Sequence, residues 1–111
     1  MAVNVRELIT GKYAENALTL QYTATNCYAS IDKFTATNVS VANATLTVYL
    51  VPKGGTATNA NVVTITRAIA PNETYTFPGV VGHNLAPGGS IYTTASAASA
   101  ISIRASGRET T

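Results

Sequence analysis

Apolar and polar residues alternate with a period of two along most of this chain, the spacing that sends successive side chains to opposite faces of a strand. From Ala44 to Val51 the pattern is clearest. Ala44, Leu46, Val48 and Leu50 share one face, and Thr45, Thr47, Tyr49 and Val51 share the other. An apolar face backed by Thr and Tyr predicts a half-buried antiparallel strand. A second strand is predicted from Val62 to Ala70, with Val63, Ile65 and Ile69 on its inner face. Arg67 interrupts that face, which places the strand at a sheet edge or within reach of a partner. Upstream, Leu18, Leu20 and Tyr22 alternate in a short strand, and Tyr28 to Asn38 forms another. Ile31 and Phe34 are three apart, so a β-bulge is predicted near Asp32-Lys33. Asn38 to Asn43 is then expected to close a hairpin into the Ala44 strand. Downstream, Glu73 to Phe77, Ser90 to Thr94 and Ser99 to Ala105 read as strands, the last two as a pair joined through Ala95-Ser96-Ala97-Ala98.

Turn chemistry separates these runs. Pro71-Asn72 and Pro87-Gly88-Gly89 are strong turns, and Gly79 to Leu85 reads as a loop or a single helical turn. Pro52-Lys53-Gly54-Gly55 stops a strand, and small polar residues follow as far as Asn61. That loop is longer than a tight hairpin needs, which makes it a candidate contact loop. About seven to eight short strands with no amphipathic helix predict one all-β domain, an antiparallel β-sandwich or jelly roll. It is expected to span residues 17–111. Residues 1–16 are less regular, with Val5, Leu8, Ile9 and Tyr13 apolar but not cleanly alternating. They predict an N-terminal arm that packs on a neighbouring molecule, by addition to a sheet edge, or else a short edge strand folded on its own domain.

Composition narrows the classes of function. Only 11% of the 111 residues are charged, against roughly 25% in an average soluble domain. Abundant β-branched and aromatic residues fill the gap, so the surface is expected to be Thr-, Ser- and Asn-rich rather than disordered. A net charge of +2, with the basic residues scattered, argues against an electrostatic nucleic-acid binder. No apolar run approaches the roughly 18 residues of a membrane span. The first residues lack the pattern of a signal peptide. Cys27 is single, which excludes an internal disulfide and a Cys-based zinc site.

Candidate chemistry is sparse. His83 is the only histidine and has no second His or Cys with which to hold a metal. A Cys27–His83 nucleophile pair is conceivable from sequence, but Asn26-Cys27-Tyr28 shows no nucleophile elbow. The carboxylates Glu7, Glu15, Asp32, Glu73 and Glu109 read as solvated charges or interface ion pairs. No catalytic, metal or cofactor site is therefore expected. The six tyrosines are suited to contact surfaces because they bring area at little entropic cost. Tyr49 stands out, since it lies opposite Leu46, Val48 and Leu50. The predicted protein-interface residues are Val5, Leu8, Ile9, Tyr13, Tyr49, Lys53, Asn59 and Arg67.

Several runs carry a family resemblance. Lys33-Phe34-Thr35-Ala36-Thr37-Asn38 and Leu46-Thr47-Val48-Tyr49-Leu50-Val51-Pro52-Lys53-Gly54-Gly55-Thr56-Ala57 resemble small structural proteins of tailed bacteriophages and prophages. So do Ile69-Ala70-Pro71-Asn72-Glu73-Thr74-Tyr75, Val81-Gly82-His83, Leu85-Ala86-Pro87-Gly88-Gly89-Ser90-Ile91, Ala105-Ser106-Gly107-Arg108-Glu109 and the opening Met1-Ala2-Val3-Asn4-Val5-Arg6. These are strand and turn motifs, and they mark a scaffold rather than an activity. The resemblance implies a non-enzymatic virion component, first of all a capsid cement or decoration protein bound to the major capsid protein. A neck or tail accessory protein is the alternative, and a carbohydrate- or receptor-binding module on the virion is a third. It further implies assembly in the bacterial cytoplasm and a homo-oligomer, while the charge and the short apolar runs leave no nucleic-acid or membrane partner expected.

Overall fold

A computed structural model describes residues 2–111. Nine strands follow one another: β1 (Val3–Tyr13), β2 (Thr19–Thr23), β3 (Tyr28–Asn38), β4 (Ala44–Val51), β5 (Val62–Ile69), β6 (Thr74–Tyr75), β7 (Asn84–Leu85), β8 (Ser90–Ala95) and β9 (Ile101–Thr110). They form two antiparallel sheets, one ordered β1-β9-β3-β6 with β7 also paired to β3, the other ordered β2-β8-β4-β5. The pairs nest: β4 with β5, β3 with β6 and β7, β2 with β8, β1 with β9. This is one long hairpin rolled up, held closed by the additional pairs β3–β9 and β4–β8. That arrangement is the jelly-roll form of an all-β sandwich.

The predicted alternation holds where the strands are regular. β3 and β4 have the bounds expected from sequence, and the shift in register between Ile31 and Lys33 is the bulge foreseen at Asp32. The core lies between the sheets. Phe34, Leu46, Val48, Phe77, Ile91, Ile101 and Ile103 are fully buried there. Phe34, Phe77 and Tyr75 stack edge to face, with centroids 5.1 and 4.7 Å apart.

Two expected hairpins are corrected. β3 and β4 belong to different sheets, so Asn38 to Asn43 crosses the sandwich. Asn38 stabilises that crossing. Its buried amide donates to the carbonyls of Ala42 and Ile69, both at 2.8 Å, while its oxygen accepts from the Ser40 amide at 2.9 Å. β8 and β9 likewise lie in opposite sheets and do not pair, and β9 runs on to Thr110. Ile65 is also corrected from inward to outward, being 61% exposed. The register shifts by one between Leu46–Arg67 and Val48–Thr64. The extra residue, Thr66, has φ 41 and donates its amide to Thr47 Oγ1 at 2.9 Å. Ile65 precedes this bulge on the solvent side, and Ile69 follows it in the core.

Candidate interaction surfaces

Residues 1–16 were expected to be an arm or an edge strand, and β1 is the edge strand of its sheet, paired with β9 from Val3↔Thr110 to Tyr13↔Ser102. Leu8 and Ile9, expected at an intermolecular contact, are in the chain's own core, 6% and 2% exposed. The register shifts on both sides of Ile9, and these bulges let two consecutive side chains turn inward. The first part of β1 differs. Residues 2–7 are all exposed, on both faces of the strand, and Val5 reaches 84%. Tyr13, at the far end of β1, is exposed as well.

One ionic cluster holds the projecting segment to the body. Arg6 Nη1 lies 3.0 Å from Glu109 Oε1, and the Tyr22 hydroxyl from the other sheet donates to Glu109 Oε2. The Tyr22 hydrogen bond and the Arg6 charge hold the Glu109 carboxyl below its ordinary range, while burial and the Glu109 carboxylate push the Tyr22 phenol up. Glu15 is held low by hydrogen bonds from Lys12 at 2.9 Å and Gln21 at 2.9 Å. Arg108 pairs in a fork with Asp32, at 3.0 and 3.1 Å on the surface.

The second predicted contact region is the β4–β5 loop. Lys53 and Asn59 are exposed on it. The stem of Lys53 covers Gly88, where a Cβ would come within 2.7 Å of Lys53 Cγ. The loop is ordered by its own bonds, Gly55 N to Pro52 O at 2.9 Å and Asn61 Nδ2 to Thr56 O at 2.6 Å. At its base lies a shallow groove of about 390 Å³ lined by Leu50, Pro52, Asn61, Val62, His83 and Leu85. His83 is exposed and accepts a bond from the Ile31 amide through its carbonyl. No hydrogen bond joins it to Cys27 among the described residues, and no three His, Cys, Asp or Glu side chains gather as a metal site there.

Arg67 was expected to break a face or to reach a partner. Its guanidinium lies 3.9 Å over the Tyr75 ring, and β5 is an edge strand as anticipated. The cation–π contact ties the β5 edge to the aromatic cluster of Tyr75, Phe77 and Phe34. Tyr49 lies on the solvent face of its sheet, half-buried, as the alternation indicated. Sequence reasoning missed its neighbours. Tyr49 pairs across the strands with Tyr92 and Val62, and Tyr92 pairs with Leu20, so four strands contribute one continuous row. Only the register between strands reveals it.

These surfaces belong to an all-β jelly-roll domain. A scan of protein-family models, a search of curated proteins and a search of solved structures each return no match.

Proposed function

We propose that this protein is a non-enzymatic structural component of a tailed bacteriophage particle, foremost a capsid cement or decoration protein that binds the assembled shell. The observation that carries the reading is the first half of β1, a paired strand exposed on both faces, with one edge of its backbone free. A strand in that state is a template for addition to another sheet. The resemblance of the strand and turn motifs to phage structural proteins supplies the setting. Jelly rolls serve viral shells and lectins alike, so the fold is compatible with the reading without singling it out. Binding the assembled shell better than its free parts would stabilise it by mass action, and repetition over many sites would add avidity. A neck or tail position is the alternative within the same class.

Removal of residues 2–7 tests the reading, since Leu8 and Ile9 stay in the core. The truncated chain is expected to keep its β circular dichroism and to fall sharply in copy number in purified particles, measured by mass spectrometry. Unchanged incorporation of the truncated chain overturns the role of β1. Absence of the intact protein from particles overturns the virion reading.

A further inference from the structure

We infer, resting on the contact role proposed for β1, that its free edge at residues 3–7 takes up one antiparallel strand of a neighbouring virion protein. That strand carries β-branched residues on its outer side, uncharged polar residues on its inner side and a basic residue against Glu7. Four edges bound the two sheets, and three of them are blunted. β6 and β7 share one edge and offer two residues each. β2 is broken by a register shift between Leu20 and Tyr22, and β5 by shifts on either side of Val48. Short strands and bulges are the ordinary protection against strand addition. β1 has its bulges only after Glu7. From Val3 to Glu7 it pairs with β9 without a shift, holds no proline and is exposed on both faces.

The hydrogen-bond phase of the β1–β9 ladder fixes which backbone groups are free. The Thr111 amide donates to the Ala2 carbonyl at 2.9 Å, so Ala2 and Thr111 form a hydrogen-bonded pair. Antiparallel ladders alternate hydrogen-bonded and non-hydrogen-bonded pairs. Asn4↔Glu109 and Arg6↔Gly107 are therefore bonded, while Val3, Val5 and Glu7 turn N–H and C=O to the open side. Donors and acceptors at a spacing of two are what an added strand needs. Every pairing in both sheets is antiparallel, and antiparallel addition is also the stronger per residue.

The same alternation sets the side chains that the added strand meets. Arg6 reaches Glu109, which the Tyr22 hydroxyl from the other sheet also bonds, so Asn4 and Arg6 lie on the inner side. Arg6 and Tyr22 already share that carboxylate, and a further charge brought beside them would be desolvated without a partner. Uncharged polar residues suit that side. Val3, Val5 and Glu7 lie on the outer side. Val3 is 58% exposed and Val5 84%, and the row from Val3 through Thr110 ends on Tyr28, itself exposed. β-Branched residues directly opposite Val3 and Val5 cover them as cross-strand pairs do. Glu7 has no ion pair among the described residues, so the position opposite it takes Lys or Arg.

Titration of the isolated, isotope-labelled full chain with the acetylated and amidated peptide Lys-Thr-Val-Thr-Val-Thr tests the partner without any particle. Added antiparallel, the peptide sets its Lys against Glu7 and its valines against Val5 and Val3. At about 5 mM peptide, for a Kd near 1 mM, the amide resonances of Val3, Val5 and Glu7 are expected to shift together. Val5→Pro is the decisive variant. It deletes a free N–H and none of the bonds to β9, so it is expected to fold and to abolish the shifts at Val3 and Glu7. Circular dichroism checks folding, and Val3→Pro takes its place if Val5→Pro is unfolded. No shift in the wild type, or shifts that persist in a folded proline variant, overturns the inference. A dimer of the free chain that Val5→Pro dissolves gives the edge to a second copy and overturns the choice of partner. In purified particles, Val5→Pro is expected to fall in copy number as the truncated chain does. Wild-type incorporation of folded Val5→Pro overturns strand addition and leaves the virion reading standing. Absence of the intact protein from particles overturns the virion setting, while the peptide titration still decides the edge.

Discussion

Among the glycines, Gly107 is the one that backbone approaches most closely. It pairs with Ile31 just before the Asp32 bulge, and a Cβ there would run into the Ser30 carbonyl and meet Leu8 Cδ1 at 3.2 Å. Backbone cannot swing aside as a side-chain tip can, so β3 and β9 would have to separate. Gly107→Ala is expected to cost about 1–3 kcal/mol, read as a lower urea midpoint at unchanged slope. Glu109 sets a pH dependence. Its folded pKa is depressed by Tyr22 and Arg6, whereas in the unfolded chain it returns to about 4.3. The cluster's contribution is fully present above the unfolded value and is lost as pH falls through the lower folded value. Glu109→Gln removes this proton uptake, so its thermal midpoint is expected to fall less steeply than that of wild type between about pH 5 and pH 2. Glu15, also depressed, remains in the variant and keeps part of the acid slope.

Among the elements, β5 shows how a local irregularity is paid for elsewhere. Thr66 sits at φ 41, a left-handed conformation that β-branched residues adopt only under strain. Its amide bond to Thr47 Oγ1 holds the bulge in place. Thr66→Gly keeps that amide and relieves the strain, so it is expected to stabilise the fold by about 1 kcal/mol, seen as a higher urea midpoint. The bulges also explain which elements were legible in the sequence. β4 alternates without interruption, and its bounds and faces were readable directly. At β3 a spacing of three announced its bulge. β1 hid its role because its bulges set Leu8 and Ile9 both inward, which looks irregular to a period-two reading. In β5 the same reading sent Ile65 inward, since nothing in Ile65-Thr66-Arg67 marks the extra residue.

For the molecule as a whole, alternation tells which side of a strand is buried but not which sheet the strand joins. That is why the crossings after Asn38 and after Ala95 looked like hairpins, and why the Tyr49 neighbours across the sheet could not be named from sequence. The nested topology also sets an order in time. β9 is the last of the nine described strands in chain order, yet it lies between β1 and β3 at the middle of its sheet. The ribosome therefore delivers both flanking strands long before the one that joins them. Only the inner β4–β5 hairpin can form early from neighbouring chain, and pairings this distant in sequence are slow to close. Until residues 101–110 have emerged, β1 and β3 offer open edges and the core has only one finished wall. The sheet is thus completed only once residues 101–110 have emerged, and until then the nascent chain carries unpaired strand edges that are open to aggregation.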